Sequence, residues 1–109
     1  MPTFQEFQRF DLRVGTVVAA RSHPTARKPS IQMNIDFGDA GVKQSSAQLT
    51  RRYSPDELIG RQVVAVVNFP PRPIGDFVSE VLVLGAMVSG SDVTLLAPDH
   101  PVDNGTRIA

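Results

Sequence analysis

The sequence predicts an all-β fold, and three patterns support this prediction. Apolar and polar residues alternate strictly over residues 31–37, as they do in a strand with one buried face. The runs 63–67 and 81–84 are apolar, contain β-branched residues and have the length of strands. Capping boxes, which start helices, are assigned only to two short stretches, which begin at Thr3 and Ser54. We therefore expect strands to dominate the structure.

Length and composition indicate a single globular domain over residues 1–109. The chain is 41% hydrophobic and 20% charged, and its 109 residues suffice for one core but not for two. It has no cysteine, which excludes a disulfide framework and a thiolate metal or redox site. The N-terminal residues lack the pattern of a secretory signal, and no apolar run approaches the roughly 18–20 residues that cross a bilayer. We expect a cytoplasmic protein that does not insert into a membrane.

Charge is distributed unevenly along a chain whose net charge is zero. Residues 1–53 contain eight basic and four acidic residues, a net charge of +4, whereas residues 54–109 contain three basic and seven acidic residues, a net charge of −4. Such a chain can present one basic face and remain neutral as a whole. A mixed, solvated surface is the simpler alternative.

The N-terminal residues predict a short helix that carries an aromatic stripe. Thr3 and Glu6 form a capping box, and three phenylalanines recur at a spacing of three, which places them along one side of the helix. The stripe either covers the protein's own core or contacts a second subunit. The chain also ends in a β-rich tail that is longer than a closed barrel requires. We therefore predict a homodimer whose interface contains Phe4, Phe7, Phe10, Asn104 and Ile108.

Five main strands are assigned from the sequence, at 11–23, 31–37, 42–47, 63–67 and roughly 81–88. The first contains Gly15, where a barrel strand bends or bulges. The second and third are joined by a tight turn and form a hairpin. Between the third and fourth strands, Ser54 and Glu57 form a second capping box, which predicts a helical turn that ends at Gly60.

The tail is expected to contain a short strand and a tight turn. Residues 93–96 have the composition of a strand. Asn104 and Gly105 predict the two-residue loop of a type I′ turn, in which both residues have positive φ. This turn is expected to return residues 106–108 as the second strand of a hairpin.

The predicted order is three strands, a short helix, two strands and a β-rich extension. Five strands with a helix between the third and the fourth are the arrangement of the OB-fold, a small, partly open barrel that binds oligonucleotides and oligosaccharides. Many short strands also build sandwiches, but the position of the helix favours the barrel. We therefore predict a five-stranded OB-fold barrel with a short N-terminal helix and a β-rich C-terminal extension.

The residues give little support to catalysis or metal binding. His23 and His100 each precede a proline, and neither belongs to a spacing that binds zinc. No serine lies in the strained Gly-x-Ser-x-Gly turn of a hydrolase. Asp56 and Glu57 are explained by helix capping. We expect no enzyme activity, no cofactor and no bound metal.

Basic and polar side chains near the loop 68–80 suggest a nucleic-acid interface. On a barrel, the segment after the third strand and the loop before the fifth approach one another on one side. Cations there contact phosphates, and neutral polar groups add hydrogen bonds without a like-charge penalty. Tyr53, Phe69 and Phe77 are the candidates for base stacking. We assign to this interface Arg13, Lys43, Gln44, Arg51, Arg52, Asn68, Arg72 and Ser79.

Several motifs resemble a known family. They are KQSSAQ at 43–48, RY at 52–53, NFPPR at 68–72, SEVLVLG at 79–85 and DNGT at 103–106. Together they make the chain similar to the CsaA proteins, which belong to the EMAP-II-like tRNA-binding domains that also occur appended to methionyl-tRNA synthetases. The resemblance runs from about residue 7 to the C-terminus. We add Ser46, which lies in the first motif, to the expected nucleic-acid interface.

The resemblance implies an OB-fold homodimer with its terminal extensions in the interface, tRNA as a partner and a chaperone role in protein export. In the loop after Arg72, however, Pro73 and Val78 occupy places that are basic in the family, and Asp76 adds a negative charge. Three hypotheses remain. They are a tRNA-binding protein that recognises backbone and shape, an export chaperone that binds unfolded polypeptides with little RNA affinity, and a dimeric accessory module with no ligand of its own.

Overall fold

The computed structural model describes residues 1–109 and contains nine strands and two short α-helices. The helices α1 and α2 comprise Phe4–Phe7 and Pro55–Leu58. The strands are β1 Leu12–Ser22, β2 Ile31–Asp36, β3 Val42–Ala47, β4 Gln62–Val66, β5 Arg72–Ile74, β6 Phe77–Ser79, β7 Leu82–Val83, β8 Gly85–Ser89 and β9 Asp92–Leu95. Both α-helices have only four residues, and no helix is long and apolar enough to cross a membrane.

Five strands form one antiparallel sheet, in the order β3-β2-β1-β4-β7, that curls into a nearly closed barrel. Its edges meet where the Glu80 amide donates to the Gln44 carbonyl (2.8 Å) and the Gln44 amide donates to the Glu80 carboxylate (3.0 Å). The hairpins β5–β6 and β8–β9 extend from the barrel, so the predicted strand 81–88 is divided between β7 and β8. The predicted all-β OB-fold, with one helix before β1 and another between β3 and β4, is confirmed.

One hydrophobic core fills the barrel. Alternate residues of β2 are fully buried in it, as the sequence pattern predicts. Leu58 is also fully buried in this core, so α2 packs directly onto the barrel. The predicted capping boxes are both present: the Ser54 amide donates to the Glu57 carboxylate (2.6 Å), and the Thr3 amide donates to the Glu6 carboxylate (3.1 Å).

The strands β1 and β4 are apolar on both faces. Alternate residues of β4 lie in the barrel core, and the others join Leu12 and Val14 in a second buried cluster on the outer face. Ile108 packs against this cluster. The Val14 amide donates to the Thr106 carbonyl and the Ile108 amide donates to the Leu12 carbonyl, both at 2.9 Å. The C-terminal residues thereby pair with β1 and cover part of its outer face.

The turn at residues 103–106 differs from the predicted one. Gly105 has a φ of 89°, but Asn104 has no positive φ, so the type I′ prediction is wrong. The Thr106 amide donates to the Asp103 carbonyl (3.1 Å), and positive φ at the third residue alone is the pattern of a type II turn. The predicted hairpin is also wrong, because residues 106–108 pair with β1 and not with the segment before the turn.

Gly15 serves close packing rather than a bulge. The irregularity in the pairing of β1 lies between Val17 and Ala19. A Cβ atom on Gly15 would lie 2.6 Å from Cγ2 of Ile35 and 2.8 Å from the ring of Phe37. The glycine therefore allows these two core side chains to pack directly on the backbone of β1.

Replacing Gly105 by alanine tests how the C-terminal segment is held. Gly105 and Gly60 both have a φ of 89°, but a Cβ atom on Gly105 would lie 2.6 Å from the Phe37 carbonyl oxygen, whereas one on Gly60 would meet nothing within 4 Å. Both substitutions incur a left-handed backbone cost of roughly 1–2 kcal/mol, and only Gly105→Ala adds a backbone clash. We expect Gly105→Ala to lower the free energy of unfolding in urea more than Gly60→Ala. Equal losses would contradict this account.

Candidate nucleic-acid interface

An open cleft of about 1130 Å³ lies beside the barrel. Its walls are the β1–β2 loop, the residues at the end of β3, the β5–β6 hairpin and parts of β7, β8 and β9. Its apolar lining combines buried or half-buried side chains, among them Leu49, Val83 and Leu95, with the exposed side chains of Leu82 and Met87. The exposed cations that line it are Arg27, Lys28 and Arg72. The volume exceeds the roughly 300–1,000 Å³ of small-molecule sites, so the cleft suits an extended ligand.

The β1–β2 loop, which carries Arg27 and Lys28, is held at both ends. At one end, Nδ1 of the buried His23 lies 2.6 Å from Oγ of Ser46. The His23 amide donates to the Ser30 carbonyl across the neck of the loop (3.0 Å). The two cations therefore extend from a loop whose ends have fixed positions.

The β1–β2 loop also contacts the β5–β6 hairpin. The Thr25 hydroxyl donates to the Asp76 carboxylate (2.5 Å), and this hydrogen bond, together with one from the Asp76 amide, lowers the pKa of Asp76. A Cβ atom on Gly75, whose φ is 64°, would lie 2.8 Å from the Thr25 hydroxyl oxygen. Glycine at this position therefore lets the two loops meet.

Another contact holds the β8–β9 hairpin against the residues that follow β3. The Arg52 guanidinium forms two hydrogen bonds with the Asp92 carboxylate, one of them from Nη2 at 3.0 Å. These hydrogen bonds raise the pKa of Arg52 and lower the pKa of Asp92. The Tyr53 hydroxyl accepts a hydrogen bond from the Leu95 amide (3.0 Å). Arg52 and Tyr53 thus fix the side of the cleft that β9 forms.

Two of the predicted basic residues have partners within the chain. Arg52 binds Asp92 as described above. Arg13 donates to the Asp11 carboxylate (2.6 Å) and to the Gly105 carbonyl (3.1 Å). A phosphate therefore competes with a carboxylate for each of these two guanidinium groups.

The other predicted cations form no salt bridge. Arg72 begins β5 and lines the cleft. Arg51 lines a smaller pocket beside the cleft. Lys43 is half-buried on β3 and lines neither space.

All four predicted polar residues use their side chains within the chain. The Gln44 side chain donates to the Val78 carbonyl (2.8 Å), and the buried Ser79 hydroxyl donates to the Val81 carbonyl (3.2 Å). The Asn68 side chain accepts from one N-terminal backbone group and donates to another, at 2.9 and 2.8 Å. The Ser46 hydroxyl lies 2.6 Å from Nδ1 of His23, and Ser46 also lines the cleft.

The phenylalanines of the predicted dimer interface lie on the surface. Phe4 is 69% exposed, and Phe7 and Phe10 are also exposed. Phe10 stacks edge to face on the exposed Phe69, with the ring centroids 5.8 Å apart. The N-terminal segment that carries these rings is tied to the end of β4 by Asn68. All four of these phenylalanines are exposed, so the chain itself does not cover their rings.

The predicted tail residues of the interface make contacts within the chain. The Asn104 side-chain oxygen accepts from the Thr16 hydroxyl (2.7 Å) and from the Gln62 side chain (3.3 Å). Ile108 is half-buried against the outer cluster of β1 and β4.

Arg27 and Lys28 line the cleft but are absent from the interface predicted above. They are adjacent cations in a polar loop between the first two predicted strands. In an OB-fold, the loop between strands one and two is one of the two that bind ligands. Combining the predicted fold with the position of these cations would have identified them.

The fold and the cleft together define a class of protein. A five-stranded barrel with a cleft between its first loop and the connection that follows its fourth strand is an OB-fold binding domain. The sequence profile of the family described as "Putative tRNA binding domain" matches residues 12–107, and the chain belongs to this family.

Solved structures and curated relatives agree with this assignment. The chain shares 53% sequence identity with chaperone CsaA from Bacillus anthracis, and the crystal structure of that protein superposes with a TM-score of 0.97. The match covers 100% of this chain and 99% of the CsaA chain. The crystal structure of the CsaA chaperone from Picrophilus torridus has a sequence identity of 46% and a TM-score of 0.91. The match covers 100% of both chains. The resemblance to the CsaA proteins is thereby confirmed.

The chain is also similar to a small part of a larger enzyme. The methionine–tRNA ligase of Thermococcus kodakarensis is 38% identical over 106 residues, which are 97% of this chain. The chain spans only 14% of the length of that ligase.

The contact between Arg52 and Asp92 predicts how stability depends on pH. The folded-state pKa of Asp92 is lowered, so the ionised Asp92 carboxylate stabilises the folded state. This contribution to the free energy of unfolding is fully present above the unfolded-state pKa of about 3.9, and it is lost as pH falls through the folded-state pKa. We expect Asp92→Asn to be less stable than wild type at pH 7, and the gap to narrow below about pH 5. Urea unfolding between pH 7 and pH 2 measures this gap.

The exposed Asp39, which forms no hydrogen bond through its side chain, provides the control. Asp39→Asn should change the stability little at every pH. A gap between Asp92→Asn and wild type that stays constant down to pH 2 would show that the ion pair contributes nothing.

Proposed function

We propose that this chain is a tRNA-binding protein without catalytic activity, which contacts the backbone and shape of tRNA through the cleft. The observation that carries the proposal is the position of the unpaired cations. Arg27, Lys28 and Arg72 belong to the two connections that bind oligonucleotides in OB-folds, and all three line one cleft. Membership of the tRNA-binding family supports tRNA as the nucleic acid.

Exposed cations without carboxylate partners suit phosphate contacts. None of the three cleft cations forms a salt bridge, so a phosphate that binds them breaks no existing ion pair. Each neutralised phosphate releases condensed counterions, which drives binding that is independent of sequence. Pro73 and Val78 add no charge to the β5–β6 hairpin, so in this proposal the β1–β2 loop supplies most of the positive charge.

The lining of the cleft favours backbone recognition over base stacking. Proteins that bind single strands stack successive bases on aromatic rings. The cleft lining contains no aromatic residue, and Phe77, a predicted candidate, is buried. Contacts to phosphates and sugars position a protein on its nucleic acid without reading sequence. We infer recognition of the tRNA backbone rather than of particular bases.

A chaperone for unfolded or export-bound polypeptides is the second candidate. Apolar side chains form about half of the cleft lining, and both CsaA structures are described as chaperones. Burial of apolar peptide side chains would stabilise such a complex, and this hydrophobic contribution to binding is not screened by salt. The chaperone role would be linked to secretion. For both the tRNA-binding and the chaperone role, we propose a cytoplasmic protein without a bound metal.

We also propose a homodimer in which the N-terminal phenylalanines contact the second subunit. Phe4, Phe7, Phe10 and Phe69 are all exposed in one chain. Phe10 and Phe69 contact each other, and clustered exposed apolar side chains mark interaction sites on soluble proteins. The Arg107 guanidinium donates to the Gln8 carbonyl (3.4 Å), which brings the C-terminal residues beside the same surface. Both termini would therefore contribute to the interface.

Salt dependence distinguishes tRNA binding from peptide binding. With three to five phosphate contacts at a slope of about 0.7–0.9 each, the affinity for tRNA should fall about tenfold to several hundredfold between 50 and 200 mM salt. Arg72→Ala should flatten the slope of log K against log salt by about one unit and weaken different tRNAs equally. The double variant Pro73→Arg/Val78→Lys should make the slope of log K against log salt steeper. Titrations of labelled tRNA at three salt concentrations provide the measurement.

Arg9→Gln is the matched control, because it removes an exposed charge that does not line the cleft. Its slope should equal that of wild type. Identical, shallow slopes for wild type and Arg72→Ala would remove Arg72 from the site. If the protein also binds an unfolded polypeptide tightly, with an affinity that changes little with salt concentration and is the same for wild type and Arg72→Ala, the chaperone function would be favoured.

The dimer is tested by sedimentation at micromolar concentration. Wild type should sediment near twice 11.8 kDa. Phe4→Ser combined with Phe7→Ser should weaken the dimer by about 30-fold or more, because loss of an aromatic anchor commonly costs about 2 kcal/mol. The control Val42→Ser removes an exposed apolar side chain of β3, outside the N-terminal surface, and should leave the dimer intact. A monomeric wild type would refute the proposal.

A further inference from the structure

A small open pocket, which we call the side pocket, adjoins the cleft, and five of its six lining residues have polar or charged side chains. Its volume is about 190 Å³, and its lining residues are Lys28, Pro29, Gln48, Thr50, Arg51 and Ser91. Lys28 and Gln48 also line the cleft, so a ligand in the cleft can extend into the side pocket. The side pocket is formed by three separate segments: the β1–β2 loop, the residues after β3 and the β8–β9 turn.

Positive charge dominates the side pocket. Lys28 and Arg51 are exposed and form no salt bridge, and no carboxylate lines the pocket. The carboxylate next to Ser91, that of Asp92, is bound through both oxygens by Arg52, and the nearby charge of Arg51 also contributes to lowering the pKa of Asp92. Two cations that face one space repel each other, and an anion between them replaces this repulsion with attraction.

Neutral donors complete the lining. The hydroxyls of Thr50 and Ser91 and the side-chain amide of Gln48 form no hydrogen bond within the chain, so they are free to bind a ligand. The volume is below the roughly 300 Å³ of the smaller drug-sized sites and corresponds to about six water molecules at roughly 30 Å³ each. The side pocket therefore suits one small group with several oxygen atoms.

We propose that the side pocket is a phosphate subsite, in which Lys28 and Arg51 bind one phosphate group of an RNA strand whose neighbouring nucleotides lie in the cleft. This inference rests on the proposed tRNA binding and specifies one contact of it. Lys28 lies between the two spaces, so it is the residue that links the bound phosphate to the path of the strand past Arg27 and Arg72.

A phosphate matches this arrangement better than the carboxylate of a peptide. The oxygens of a phosphate point in tetrahedral directions, so cations and hydroxyls from three segments can each bind a different oxygen. A carboxylate has two coplanar oxygens, which one arginine binds through a pair of parallel hydrogen bonds. The side pocket instead offers one ammonium, one guanidinium and two hydroxyls from separate segments.

Titration with inorganic phosphate tests the subsite without RNA. We expect the backbone amide signals of Thr50, Arg51 and Ser91 to shift saturably in NMR spectra recorded at constant ionic strength. The double variant Lys28→Gln/Arg51→Gln should lose at least tenfold in this affinity, and Arg9→Gln should match wild type. Acetate at the same concentration should cause smaller, non-saturating shifts. Equal responses to phosphate and acetate, or no saturable shift, would overturn the proposal.

Binding of tRNA tests whether the two cations share one phosphate. If they do, Lys28→Gln/Arg51→Gln should lower the slope of log K against log salt by about 0.7–0.9, the value for one contact, and weaken binding about four- to sixfold at 0.15 M salt. Two separate phosphates would lower the slope by about twice as much. The single variants should show non-additive losses, as residues that act on one group do. Additive losses and a doubled slope change would overturn the shared subsite.

The two experiments separate this inference from the proposed function. If tRNA binds all variants with the slope of wild type and phosphate shifts no amide, the subsite is wrong and tRNA binding stands. If wild type fails to bind tRNA but phosphate shifts the three amides saturably, the side pocket binds phosphate and the proposed function is wrong.

Discussion

The structure depends on the closure of the barrel between β3 and residues 78–81. The backbone of Gln44 exchanges hydrogen bonds with Glu80, and the Ser45 hydroxyl donates to the Val81 carbonyl (2.8 Å). Without them, β3 would be an edge strand with unpaired backbone groups, which are costly when buried and prone to pair with other chains. The same bonds bring the β5–β6 hairpin beside the β1–β2 loop. The cleft exists because these two connections meet at the closed edge of the barrel.

The charge of the cleft follows from the placement of carboxylates rather than from the number of cations. Asp11 and Asp92 form salt bridges with Arg13 and Arg52, while the cations that line the cleft and the side pocket form none. Arg27, Lys28 and Arg51 belong to the basic half of the chain and Arg72 to the acidic half. Folding thus assembles a basic region from both halves of a chain with zero net charge, which a tRNA-binding surface requires and composition alone does not reveal.

Part of the candidate site could be predicted from the sequence, and part could not. Arg72 and Ser46 line the cleft as expected, because the predicted barrel places the end of the third strand near the loop before the fifth. Gln44 and Asn68 have the residue types of ligand-binding groups, yet their amides complete the fold by bonding backbone groups 34 and 59 residues away. A polar side chain in a motif does not indicate whether it will face solvent or satisfy a buried backbone group.

The sequence by itself determined the features that depend on near neighbours. Alternation over residues 31–37 requires a strand with one buried face, and both capping boxes join residues three apart. Only the tertiary structure decided which cations remain free, because the partner of Arg52 lies 40 residues away on another hairpin. It also decided the turn at Gly105, where pairing of the tail with β1 prevailed over the local preference of Asn-Gly for a hairpin. Local preferences are worth about 1 kcal/mol, and several long-range hydrogen bonds together with burial of Ile108 outweigh them.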